Sequence, residues 1–312
     1  MRKYALFLLV CAAPFAVHCG GDEPAGDPTA DGAAPTGTAT ATSPGEPGQD
    51  GEAPALTPLS LPKTSAGCGK AATPSGAKGE RRTVTSGGKE RSFVLFVPQG
   101  YDPSRAYPLV SVFHGIGATG AQMAEFIKMQ EYSAGNAIVV FPDASGGRWD
   151  MSGETDLTFF DTMRESLEGS LCVNRQRVFA VGFSNGGYFT NHLGCSRAAT
   201  VRAIVPADGG FPGSASKCGK TAALVYHRTE DDVVSVSNGQ KTRDAWVGIN
   251  TCQKTSKPFG EHGFDGKGCV AYDGCPGTTP VVYCEDTAKS PYKHDLRDVY
   301  RVPIWKWLDA FQ

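Results

Sequence analysis

The chain has 312 residues, a formal net charge of −2, 20% charged residues and 40% hydrophobic ones. That balance supports a sizeable apolar core and excludes both a strongly basic nucleic-acid surface and a polybasic membrane patch. Its 10 cysteines would suit disulfides if the chain is exported.

Met1-Arg2-Lys3 is a short basic start, and the apolar run from Tyr4 to Val17 is too short to span a bilayer as a mature helix. Residues 1–18 therefore read as a secretory signal peptide. Cys19, followed by Gly20-Gly21, is a candidate lipidation site of a bacterial lipoprotein, although His18 stands where such sites carry a small residue. Simple cleavage and release explains the same apolar run. Residues 19–66 are rich in Pro, Gly, Ala, Thr and acidic residues, with little to bury, and read as a disordered tether. The expected product is an exported protein, either secreted or anchored at the cell surface through Cys19. Residues 67–312 are then one domain of ordinary size, expected to act as a monomer.

Within it, Arg82–Thr85 and Ser92–Val97 are β-rich runs around Ser86-Gly87-Gly88-Lys89, a hairpin pattern. Short apolar runs follow at Leu109–Phe113, Ala137–Phe141, Arg177–Val181, Val201–Val205, Ala222–Tyr226 and Pro280–Tyr283, as buried parallel strands do. Helix-compatible stretches lie between them near Gly120–Met129, Asp156–Leu171, Gly186–Leu193 and Ser237–Val247, with a last one at Val302–Phe311. This alternation predicts an α/β fold: a mostly parallel central sheet with helices on both faces.

Cys68, Cys172, Cys195, Cys218, Cys252, Cys269, Cys275 and Cys284 form an even set within the domain, which suggests up to four disulfides of undetermined pairing. No C-x-x-C pair or H-E-x-x-H helix is present, so no metal or other cofactor is expected.

Gly182-Phe183-Ser184-Asn185-Gly186 lies between a predicted strand and a predicted helix. A sharp strand-to-helix turn needs small neighbours and exposes its serine, so Ser184 is the candidate nucleophile; an ordinary glycine-rich turn is the alternative. A serine hydroxyl needs an imidazole to take its proton and a carboxylate to orient that imidazole, in the chain order Ser, acid, His. Acids follow the strand ending at Tyr226: Asp231 is the candidate, with Glu230 and Asp232 as alternatives. Of His192, His227, His262 and His294, the last falls between the final strand and final helix, where the base belongs; His262 is the runner-up. Phe113-His114-Gly115-Ile116-Gly117 follows an early strand and suits an oxyanion loop, with the backbone N–H groups of Ile116 and Asn185 as donors and His114 as support.

Gly67-Cys68-Gly69-Lys70, Phe113-His114-Gly115, Leu171-Cys172-Val173, Gly182-Phe183-Ser184-Asn185-Gly186-Gly187 and Val281-Val282-Tyr283-Cys284-Glu285 resemble the feruloyl esterase and acetylxylan esterase group of secreted α/β-hydrolases. That group overlaps with the polyhydroxybutyrate depolymerase-like esterases. The resemblance implies a metal-free α/β-hydrolase that cleaves esters on plant cell-wall polysaccharide, with Ser184, Asp231 and His294 as triad and Trp149 near the acyl pocket. The chain departs from the group twice. Arg228 stands where its acid motif has Gly, and Pro291-Tyr292-Lys293-His294 replaces its Gly-Gly-His base motif. Ferulate or acetate release is the expectation; polyester hydrolysis and an inactive surface binding protein are the alternatives.

Overall fold

The computed structural model describes residues 60–312. The expected signal peptide, Cys19 and most of the expected tether lie outside them. Ten strands build the domain: β1 (Glu80–Ser86), β2 (Lys89–Phe96), β3 (Tyr107–Phe113), β4 (Ile138–Pro142), β5 (Val173–Phe183), β6 (Ala203–Ala207), β7 (Ala222–Arg228), β8 (Ser256–Pro258), β9 (Cys269–Tyr272) and β10 (Val281–Asp286). The helices are α1 (Gly120–Ile127), the single turn α2 (Met129–Tyr132), α3 (Thr155–Ser170), α4 (Asn185–Ser196), α5 (Val236–Ile249) and α6 (Asp298–Asp309).

All the strands join one sheet in the order β1-β2-β4-β3-β5-β6-β7-β10-β9-β8. From β4 to β10 the neighbours run parallel; the ends are closed by antiparallel β1, β2, β9 and β8. The β1–β2 turn is Gly87-Gly88 with φ of 56° and 74°, the mirror-image turn that a tight hairpin selects and that glycine adopts without strain.

Successive strand residues face opposite sides. Val110 and Val112 of β3 join the core under α1, α2 and α6, whereas Leu109 and Phe113 join the core under α3, α4 and α5. Both faces of the central strands are thus apolar, which is why these strands read as continuous hydrophobic runs.

Four differences from the sequence reading have local causes. β8 and β9 were not foreseen: one is three exposed residues and the other four residues among glycines, and both are held at the sheet edge by pairing rather than by an apolar pattern. α6 begins at Asp298, so Pro303 lies inside the helix instead of starting it. β5 is longer than its apolar run, because the polar residues Asn174–Arg177 continue the strand past an irregularity in its pairing with β3. Finally, residues 61–66, assigned to the tether by composition, are bonded onto the domain. Arg175 N donates to Lys63 O at 2.9 Å, and Ser65 Oγ donates to Leu171 O at 2.6 Å while accepting from Val173 N at 2.9 Å.

Four disulfides join Cys68–Cys172, Cys195–Cys218, Cys252–Cys275 and Cys269–Cys284. The first ties the start of the domain to the front of β5, and the last joins register partners of β9 and β10. Among the described residues no helix is long and apolar enough to cross a membrane.

Candidate active site

β3, β5, β6, β7 and β10 are parallel, so their carboxyl ends collect on one edge, the place where open α/β sheets carry their ligands. Ser184 sits there between β5 and α4, with φ 56° and ψ −120°. Such a conformation is strained for a residue with a side chain and persists only when its surroundings enforce it. They do. Ser184 N donates to Ala207 O at 2.9 Å, and Tyr188 N donates to Ser184 O at 3.1 Å. A Cβ on Gly182 would lie 2.1 Å from Gly186 O, and one on Gly186 would lie 2.2 Å from Phe113 O, so only glycine permits the turn.

Asp231 follows β7. Its Oδ1 accepts from the backbone N–H groups of Val233 at 2.9 Å and Val234 at 2.8 Å, and its Oδ2 lies 2.7 Å from His294 Nδ1. Burial works to raise its pKa, but the His294 bond and the two amides outweigh it and hold the carboxyl below the ordinary range. The geometry directs Nδ1–H of His294 at the carboxylate and leaves Nε2, a buried atom with no partner among the described residues, for the other side. The His294 ring packs 4.7 Å from that of Phe183, which immediately precedes Ser184.

The alternatives named from sequence are engaged elsewhere. Glu230 pairs with Lys289, and Asp232 lies 3.6 Å from Lys293 at the surface. His192 bonds Gly153 O at 3.0 Å, and His262 sits in a short turn against Phe259 and beside Glu261. His227 is buried behind the acid: its Nε2 is 2.8 Å from Val234 O and 3.6 Å from Asp231 Oδ2, and burial lowers its pKa.

The loop after β3 passes over the serine. A Cβ on Gly115 would stand 3.4 Å from Ser184 Cβ. His114 supports this loop, with Nδ1 2.7 Å from Gly115 O and Nε2 accepting from Ala144 N at 3.0 Å. Burial lowers its pKa, which suits a neutral ring with one donor and one acceptor. Ile116 presents its side chain to solvent, and Asn185 occupies the first position of α4, where a backbone N–H has no partner within the helix.

Trp149 lies beside the serine turn. It is only 1% exposed; its indole N–H donates to His114 O at 2.9 Å, its backbone N–H donates to Asn185 Oδ1 at 2.8 Å, and its ring stacks on Phe189 at 5.1 Å. Trp149 thereby braces the loop after β3 and the start of α4. It also lines a cleft of about 540 Å³, together with Arg148, Met151, Ser152, Pro212 and Gly213 among others. Asn185 Nδ2 reaches Met151 Sδ at 3.4 Å, which connects this cleft to the serine turn.

No protein-family model matches the chain. Feruloyl esterase D of Neurospora crassa is 30% identical over 246 residues, which cover 73% of this chain and 83% of the relative. A probable feruloyl esterase C of Aspergillus clavatus is 32% identical over 247 residues, covering 73% and 88%. The chain belongs to the feruloyl esterase family.

Solved structures agree on the α/β-hydrolase fold. The acetyl xylan esterase of Aspergillus awamori superposes with a TM-score of 0.56 at 13% identity, over 74% of this chain and 100% of that one. A mutant feruloyl esterase module from Clostridium thermocellum, complexed with sinapinate, gives 0.54 at 17% identity, over 81% and 96%.

Two residues at the site of this feruloyl esterase family member escaped the sequence reading. Asp208, at the end of β6, is fully buried at φ 45°, and one carboxyl oxygen each from Asp208 and Asp231 and a ring nitrogen of His294 lie within 4.8 Å of one another. Among the described residues this trio is the group that could hold a cation. An acid directly after an apolar strand was the available signal. Arg228, which stands where the group's acid motif has Gly, is buried completely.

Proposed function

We propose that the protein is a serine carboxylic-ester hydrolase that releases ferulate, or a related acyl group, from plant cell-wall polysaccharide through an acyl-enzyme on Ser184. The observation that carries this reading is the 2.7 Å bond from His294 Nδ1 to Asp231 at the sheet edge where Ser184 is held in its strained turn. The names of the curated relatives support the acyl class.

Ser184 Oγ attacks the ester carbonyl as His294 Nε2 takes its proton, and Asp231 holds the ring in the required tautomer and stabilises the imidazolium. The backbone N–H groups of Ile116 and Asn185 receive the developing oxyanion. His294 then gives the proton to the departing sugar oxygen as its bond to the acyl carbon breaks, and water, deprotonated by the same imidazole, hydrolyses the acyl-enzyme and frees Ser184. The reaction requires no cofactor.

The test is hydrolysis of methyl ferulate and feruloylated arabinoxylan, with acetylated xylan and a polyhydroxybutyrate suspension as comparison substrates. Ferulate release that disappears in Ser184→Ala is expected. Activity on polyester alone would replace the substrate assignment, and absence of any esterase activity would remove the reading.

The four disulfides fit an oxidising, extracytoplasmic location. We infer that residues 1–18 direct export and that Cys19 carries a lipid anchor. Cys19→Ser should shift the protein from the membrane fraction to the medium.

A further inference from the structure

His294 lies in residues 287–297, a stretch between β10 and α6 with no strand or helix of its own. A base on such a segment needs an outside support if its ring is to keep one orientation. The Arg228 side chain reaches into this segment from the end of β7. Its Nε donates to Lys293 O at 2.9 Å, Nη2 to Ala288 O at 2.9 Å, and Nη1 to Asp286 Oδ2 at 3.1 Å. The Lys293 carbonyl belongs to the planar peptide unit that joins Lys293 to His294, so fixing that carbonyl fixes the backbone at the base.

The other end of the support is equally firm. Asp286, the register partner of Arg228 across β7 and β10, also accepts from Arg297 Nε at 2.5 Å and from Tyr226 Oη at 2.9 Å. The Arg228 backbone N–H donates to Asp208 Oδ1 at 2.9 Å. Both Arg228 and Asp286 are removed from solvent, which makes the planar guanidinium a rigid three-way connector rather than a surface ion pair.

We propose that Arg228 is a positioning residue for the catalytic base: it locks the segment that carries His294 onto the sheet, so that the ring stays aligned between Asp231 and Ser184. The residue that departs from the acid motif thus supplies the support for a base segment that lacks the usual motif. The proposal rests on the esterase reading above.

Arg228→Gly and Arg228→Lys test it. The glycine variant keeps the backbone bond to Asp208, and Asp286 keeps Arg297 as its counter-ion, so the fold has remaining support. Arg228→Gly is expected to stay folded by circular dichroism and to lose kcat on methyl ferulate about 100-fold, with KM within about twofold, because the defect lies in alignment of the base and not in substrate binding. Arg228→Lys keeps the charge but cannot span three acceptors, and it should lose kcat as well. Guanidinium at millimolar concentration should restore part of kcat to the glycine variant and none to the lysine variant.

Folded variants with wild-type kcat, or a loss carried by KM alone, overturn the proposal. If Arg228→Gly fails to fold, Arg228→Lys decides by the same kcat and KM criterion. Failure of both to fold assigns the arginine to stability and overturns it too. Wild-type protein that hydrolyses no ester and takes no fluorophosphonate label at Ser184 would instead remove the esterase reading itself.

Discussion

At the scale of single residues, the carboxyl groups around His294 divide into two kinds. Asp231 is charged, because the His294 bond and two backbone amides stabilise the anion against burial. Asp231→Asn keeps the shape but reverses the hydrogen-bonding preference at Nδ1; kcat should fall by about four orders of magnitude while the fold is retained, as steady-state kinetics and circular dichroism can check. Asp208 is the opposite case. Burial pushes its pKa well above the ordinary range, aided by the nearby Asp231 charge and opposed by the Arg228 amide. The folded protein therefore retains a proton that the unfolded chain gives up above about pH 4, and this group's favourable contribution is lost as pH rises toward its folded pKa. Asp208→Asn should match wild type in unfolding free energy near pH 4 and exceed it by about 1–3 kcal/mol at pH 8. A variant whose advantage does not grow with pH would contradict this assignment.

At the scale of elements, the serine turn depends on how closely α4 approaches β3 and β5. The contact distances at Gly182 and Gly186 leave no room for a methyl group. Gly186→Ala should lower stability by about 1–3 kcal/mol and reduce kcat together, since the backbone shift that admits the methyl also moves Ser184 and the Asn185 N–H. Denaturant unfolding and kinetics on the same preparation check both parts. The glycine spacing made this turn legible in the sequence. The segment that carries His294 was legible only by its place in the chain, because residues 287–297 have no periodic pattern and their order comes from Arg228, Asp286 and Tyr226 on neighbouring strands. The contacts of Trp149 were illegible for a related reason: an aromatic residue beside a site looks the same in sequence whatever its ring packs on.

At the scale of the whole molecule, the disulfide Cys68–Cys172 spans 104 residues and fastens the entry of the chain to β5. Closing so long a loop restricts the unfolded state, so replacing both cysteines by serine should cost about 4 kcal/mol in unfolding free energy, measured by denaturant titration under non-reducing conditions. Local sequence was enough for the alternation of strands and helices, the serine turn, the even set of cysteines and the chain order of the candidate triad. These depend on local pattern: side-chain period, glycine at a turn too tight for a Cβ, and residue type at a strand end. Which cysteines pair, that His294 rather than His262 meets Asp231, and that Arg228 and Asp208 stand beside them follow from the folded arrangement. Those outcomes depend on which strand ends the sheet order makes neighbours, and contacts between residues some 60 positions apart leave no mark in either local sequence.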